Sequence, residues 1–207
     1  MKECIPQRLR ARWGLALLGL LPAIVQAASL FGVVTDRAAP AAVEAARRHL
    51  VAHPRDHILL RTPDQVMNAS ESELAGWIGQ ADSVLAVSAF GDPARRLIDA
   101  LGRHARPGTA LAAFNGEQAL SLMSRSAEGD LRGVPGEVLR QLAAETPTAD
   151  ALALADARPA LGQWLAQRRI WQAGGADNLG PLFAHLLAGT PLPPPRRILS
   201  QLFSKGS

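Results

Sequence analysis

Val84-Leu85-Ala86-Val87-Ser88-Ala89-Phe90-Gly91-Asp92-Pro93 passes from a continuous apolar run, through small residues and a glycine, into an Asp-Pro pair of the kind that opens helices. The run does not alternate apolar with polar side chains, which is the pattern of a strand covered on both faces. Three similar runs flank it: Leu30-Phe31-Gly32-Val33-Val34, Ile58-Leu59-Leu60 and Leu111-Ala112-Ala113-Phe114. The four begin 28, 26 and 27 residues apart. Helical signals fill the gaps. Pro40 opens residues 41–53, with Val43, Ala46 and Leu50 on one stripe and Pro54 as the stop. Ser70 and Glu73 form a capping box ahead of Leu74, Trp77 and Ile78. Asp92 is placed to cap a third helix that turns Leu97, Ile98 and Leu101 inward and has Gly102 near its end. Strand and helix repeated at this period predict successive parallel βαβ units.

Residues 28–124 therefore read as an α/β domain of flavodoxin- or Rossmann-like type, with a short parallel sheet of about four strands and flanking helices. After Asn115-Gly116 the character changes. Residues 118–123 suit one more short helix, and residues 124–133 are polar, contain glycine and read as a loop. Residues 134–189 form a helical segment expected to pack on the α/β domain, interrupted at Pro147 and Pro159. Gly174-Gly175 is a stop, Asp177 is positioned to cap the next helix, and Leu179, Leu182, Phe183, Leu186 and Leu187 form its apolar face. The expectation is a C-terminal helical hairpin. Residues 190–207 are a Pro-rich tail that starts TPLPPPRR.

The 207 residues carry 22 Lys and Arg against 18 Asp and Glu, a formal +4. Lys2, Arg8, Arg10 and Arg12, with only Glu3 against them, hold +3 of it. Residues 1–13 are thus a basic n-region, residues 14–24 (GLALLGLLPAI) an uncharged Leu-rich h-region, and Val25-Gln26-Ala27 a small-residue cleavage site. These are the parts of a secretory signal peptide in order, which predicts cleavage after Ala27 and a periplasmic or otherwise exported protein. The alternative is an N-terminal inner-membrane anchor, because the 23 residues from Trp13 to Thr35 carry no charge. Cleavage leaves 18 cations against 17 anions, so charge gives no reason to expect a nucleic-acid partner, and membrane contact is limited to the leader. The single cysteine, Cys4, lies in the leader, so the remaining chain has no disulfide, thiolate nucleophile or Cys-ligated metal.

Ligands of open parallel sheets bind beyond the carboxyl ends of the strands. That edge supplies Ser88 and Gly91 after the third run, and Asn115 and Glu117 after the fourth. The alternative for the first pair is a tight strand-to-helix turn with Asp92 as the cap, and an Asp there repels phosphate. No G-x-G-x-x-G, Walker sequence or G-x-S-x-G occurs, and no catalytic residue is recognised. His49, His53 and His57 are spaced by four. The first two suit one helix face as a metal pair, but Pro54 separates the third, and solvated histidines near a helix end are the alternative. His104 and His185 have no carboxylate at i±4 to make them general bases. Trp77, Trp164 and Trp171 fall in apolar stripes, where packing competes with stacking on a flat ligand.

Arg169 to Leu187 (RIWQAGGADNLGPLFAHLL) resembles a recurring segment of the cobaltochelatase large subunit (CobN) and its relative, the magnesium chelatase H subunit. That family places an aromatic residue before a Gly-Gly pair, then an acidic residue, Asn-Leu and a Leu-rich helix. Trp171, Gly174, Gly175, Asp177 and Asn178 carry the match, and Val134-Pro135-Gly136-Glu137-Val138-Leu139 opens a similar upstream stretch. The resemblance implies metal–tetrapyrrole (cobalamin-type) handling, with a tetrapyrrole or other chelatase components as partners and cobalt as the metal. No family catalytic residue carries over, and the matched residues suit helix termination and capping. Family chains are far longer. The expectation is an exported, truncated, CobN-like N-terminal region that is not a chelatase alone and holds no cofactor itself. The alternative is a stand-alone periplasmic small-molecule-binding or interaction module with a flavodoxin-like core.

Overall fold

The computed structural model describes residues 27–196; the expected signal peptide, apart from Ala27, and the end of the Pro-rich tail lie outside the described residues. Four five-residue strands form as the apolar runs predict: β1 (Ser29–Val33), β2 (His57–Arg61), β3 (Ser83–Val87) and β4 (Ala110–Phe114). They pair in parallel in the order β2-β1-β3-β4, with Phe31 level with both Leu59 and Val84, and Leu85 level with Ala112. The connecting helices are α1 (Ala39–Ala52), α2 (Pro63–Asn68), α3 (Glu71–Gly79) and α4 (Gly91–His104). The protein is α/β.

Successive strand residues supply two separate cores. Leu30, Leu85, Val87, Ala112 and Phe114 point to one face, and Phe31, Val33, Val84, Ala86, Leu111 and Ala113 to the other. The second face is covered by α2, α3, α4 and α5 (Gln118–Leu122), through Val66, Leu74, Ile78, Leu97, Leu101 and Leu120. The first is covered by α1 and the later helices: α6 (Gly136–Ala143), α7 (Ala149–Ala157), α8 (Pro159–Ala173) and α9 (Ala176–Ala188). Burial on both faces explains why the strands show no alternation. The 134–189 segment thus completes a layer, with α9 against α1 and β1 as well as α8.

Several local expectations change. Residues 124–133 are not a plain loop: β5 (Arg125–Ser126) and β6 (Gly129–Asp130) pair antiparallel and extend the sheet past β4, which makes it mixed. Beyond their reach, Ser124 Oγ accepts from Ala113 N at 3.0 Å and Trp164 Nε1 donates to Ala113 O at 2.7 Å. A serine and an indole thereby satisfy the open edge of β4. Helix α2 is additional to the elements that the apolar pattern marks, and Thr62 and Gln65 form a full capping box at its start. On α1 the buried face is Ala42, Ala45, Ala46 and His49, while Val43 is 55% exposed and Leu50 only half-buried. Small side chains let α1 lie close to α9, and that packing outweighs the bulk of Val43.

Neither expected aspartate cap forms. Helix α4 begins after Phe90 and α9 after Gly175, both without a side-chain cap. Asp92 and Asp177 sit inside their first turns, where the helix dipole still favours them, and pair instead with Arg95 and Arg48.

Candidate functional site

The carboxyl edge of the sheet carries two unusual backbone positions. Ser88, after β3, has φ 56°, and Asn115, after β4, has φ 54°; they are the only non-glycine residues with positive φ among the described residues. Asn tolerates this region through its short polar side chain, whereas serine pays about 1 kcal/mol or more. The two turns are locked together by backbone. Ser88 N donates to Phe114 O at 3.2 Å and Glu117 N to Ala89 O at 2.8 Å. Gly116 lies so close that a Cβ there would sit 2.6 Å from Ala89 O.

Asn115 and Gly116 line an open cavity of about 100 Å³, with Gln118 and Ser121 of α5, Arg140 of α6 and Arg168 of α8 around it. Arg168 is the residue that sequence reading missed. It is only 6% exposed, yet no carboxylate lies within ion-pair distance of it among the described residues. Its three hydrogen bonds go to neutral oxygens: Nε to Asn115 Oδ1 at 3.0 Å, Nη1 to Gln172 Oε1 at 2.9 Å and Nη2 to Ala143 O at 2.7 Å. Ala143 ends α6, so this last bond satisfies a carbonyl that the helix leaves free. Burial, reinforced by the neighbouring Arg169 charge, pulls the Arg168 pKa down from its ordinary value. An arginine nonetheless stays protonated at neutral pH. The available signal was positional: Arg168 lies at i+4 and i+7 from Trp164 and Leu161, on the buried stripe of α8.

Of the four strand-end candidates, the structure brings only Asn115 to the cavity. Ser88 is half-buried in the adjoining turn, while Gly91 and Glu117 are exposed and do not line it. Gly91, at φ 58°, opens α4.

Of the three spaced histidines, His49 departs from the solvated reading, while His53 and His57 are exposed. His49 is buried and its Nε2 meets Asp56 Oδ2 at 2.8 Å, while the His53 ring stacks on it with centroids 4.6 Å apart. Burial pushes the Asp56 carboxyl up, but the hydrogen bonds from His49 and from Ala28 N outweigh it and leave its pKa below the usual value. His57 is exposed at the start of β2. Among the described residues, no three His, Cys, Asp or Glu side chains cluster as metal ligands, so His49 and His53 gain no third ligand. His104 does find a carboxylate, from another helix: its Nε2 is 2.7 Å from Glu71 Oε1. His185 meets Gln163 Nε2 and Thr190 O. Trp164 and Trp171 are buried, the latter with its ring centroid 6.2 Å from that of Phe114, and Trp77 packs on Phe31 under the Arg61 guanidinium.

The W-x-x-G-G-x-D-N-L segment forms one junction. Gly174 and Gly175 have φ 66° and 72°, which accounts for two consecutive glycines. Asn178, buried, donates from Nδ2 to Gly174 O at 2.8 Å and to Arg196 O at 2.9 Å, and its Oδ1 accepts from Arg196 N at 2.7 Å. It clamps the Pro-rich connector to the α8–α9 junction. No helix among the described residues is long and apolar enough to cross a membrane. No family model, curated protein or solved structure matches the chain.

Proposed function

We propose that this chain is a small-molecule-binding module with a flavodoxin-like arrangement of its four parallel strands, holding its ligand at the carboxyl edge beyond β3 and β4. The observation that carries this reading is the pair of left-handed strand ends, Ser88 and Asn115, cross-linked by backbone beside an open cavity. Strained backbone persists where surrounding structure enforces it, and such positions cluster at ligand sites. Open α/β sheets bind ligands outside their carboxyl ends, although this cavity lies one strand beyond the β1/β3 reversal of strand order. The test is an NMR screen of chemically diverse small metabolites against the full chain. Binders are expected to shift the amides of Asn115, Gly116 and Gln118 together. Hits confined to other surfaces would refute this site.

A second reading rests on the Arg169 to Leu187 segment: an exported, CobN-like region, non-catalytic alone, that serves metal–tetrapyrrole handling through a tetrapyrrole or another chelatase component. The glycine pair and Asn178 act there as a structural junction that orients the connector, in keeping with a role in positioning. Addition of corrinoids of the cobyrinate type and of porphyrins is expected to change their absorbance or the tryptophan fluorescence. A folded chain that changes neither removes tetrapyrrole binding from this reading. Export itself predicts that the chain recovered from cells begins at Ala28; a chain still carrying Met1 or Lys2 favours the anchor.

A further inference from the structure

We infer that the cavity beside Asn115 is a site for a small carboxylate-bearing anion, with Arg168 as its principal recognition group. This rests on the binding-module reading above and adds the chemical class of the ligand.

A buried guanidinium is costly to desolvate unless an anion or several acceptors compensate it. Arg168 has three neutral acceptors and no carboxylate. Its other charged neighbours offer no relief. Arg169 adds to the positive potential, and the Arg140 guanidinium at the rim already has Glu137 as its partner. A guanidinium has five N–H donors, so the three bonds leave two, one on each terminal nitrogen. Two donors on the two arms of one planar fork match the paired oxygens of a carboxylate better than a single point acceptor. Asn115 Oδ1 on Nε, Gln172 on Nη1 and the Ala143 carbonyl on Nη2 hold the fork rigid, so little side-chain entropy remains to be lost on binding. Gln118 and Ser121 supply further polar groups on the α5 side, and Leu139 an apolar wall for a short carbon chain. A cavity of about 100 Å³ accommodates an anionic headgroup and a few atoms behind it, not a large cofactor.

The experiment titrates sodium propionate into the full chain, followed by the Arg168 Nε–H and the Asn115, Gly116 and Gln118 amide signals, with sodium chloride at matched ionic strength as the control. A parallel arm uses inorganic phosphate. Saturable shifts with propionate and none with chloride are expected. Arg168→Met is expected to abolish them, but it removes a buried anchor and is open to misfolding. Asn115→Asp is the decisive variant: it keeps shape and backbone preference while placing a carboxylate on Nε, so the chain stays folded and propionate binds roughly tenfold or more weakly. Absence of saturable shifts in the unaltered chain, or unchanged affinity in Asn115→Asp, overturns the inference. Phosphate bound tenfold more tightly than propionate overturns the carboxylate assignment. If neutral compounds shift the same amides while propionate does not, the anion inference falls and the binding module stands. If no compound of any charge does so, both fall.

Discussion

Replacing Asn115 with Asp tests whether Arg168 is an uncompensated buried cation. Asn115 Oδ1 lies 3.0 Å from Arg168 Nε, and the Asn115 side chain makes no other hydrogen bond among the described residues. The substitution therefore exchanges a neutral acceptor for a charged one in nearly the same place, and Asp tolerates positive φ as Asn does. Two unit charges about 4 Å apart attract by about 4 kcal/mol at an effective dielectric near 20. Desolvating a carboxylate at this half-buried position cancels much of that. Charge-assisted hydrogen bonds are worth about twice neutral ones, which leaves a net gain of about 1 to 2 kcal/mol. For a chain of this size that raises Tm by about 2 to 8 °C. The new carboxyl is expected to titrate below its unfolded value, near 4, because the guanidinium favours its charged form. Its contribution is then present above about pH 4 and lost as pH falls through the lowered folded value. Thermal melts followed by circular dichroism at pH 7 and pH 2.5 measure both effects. A variant less stable than the parent at pH 7, or a gain that persists undiminished at pH 2.5, would refute the account of Arg168.

Gly116→Ala and Gly32→Ala form a matched pair. The added Cβ at Gly116 meets backbone, 2.6 Å from Ala89 O, whereas at Gly32 it meets the movable Leu60 Cδ2 at 2.6 Å. Denaturant titration is expected to show about 2 kcal/mol or more lost at Gly116 and clearly less at Gly32; equal losses contradict the locked turns. Asp56→Asn weakens the buried contact to His49 and is expected to cost about 1 to 2 kcal/mol at pH 7. Because the Asp56 pKa is lowered in the folded state, its stabilisation exists above the unfolded value near 4 and is lost as pH falls through the lowered folded value, so the two chains should draw together in stability as the solution is acidified. Asn178→Ala removes all three bonds that hold Gly174 and Arg196, and hydrogen exchange at the Arg196 amide is expected to accelerate while the β3 amides stay protected. Unchanged exchange at Arg196 would mean that other contacts seat the connector.

Strand existence was legible because continuous burial leaves a local mark: four apolar runs at even spacing, joined by segments with their own stop and start signals, specify βαβ units. Ser70 with Glu73 formed its box as read, since both hydrogen bonds close within four residues. The Thr62 and Gln65 box that opens α2 is equally local, closing within four residues. The short β5–β6 pair was hidden for a different reason. Two-residue strands have no periodicity, and Arg125 pairs with Leu111 only because β4 already presents an open edge.

The amino-acid sequence by itself determined the α/β class, the approximate element positions and the strand ends at Ser88 and Asn115. Tertiary structure decided what those ends face. Arg168 reaches Asn115 across 53 residues, and Asp92 and Asp177 turn from their expected caps to arginines. Val43 faces solvent where alanines face the core. The physical reason is range: hydrophobic periodicity and capping act within about one turn of chain, whereas the partner of a buried charge depends on how α8 lies across the sheet.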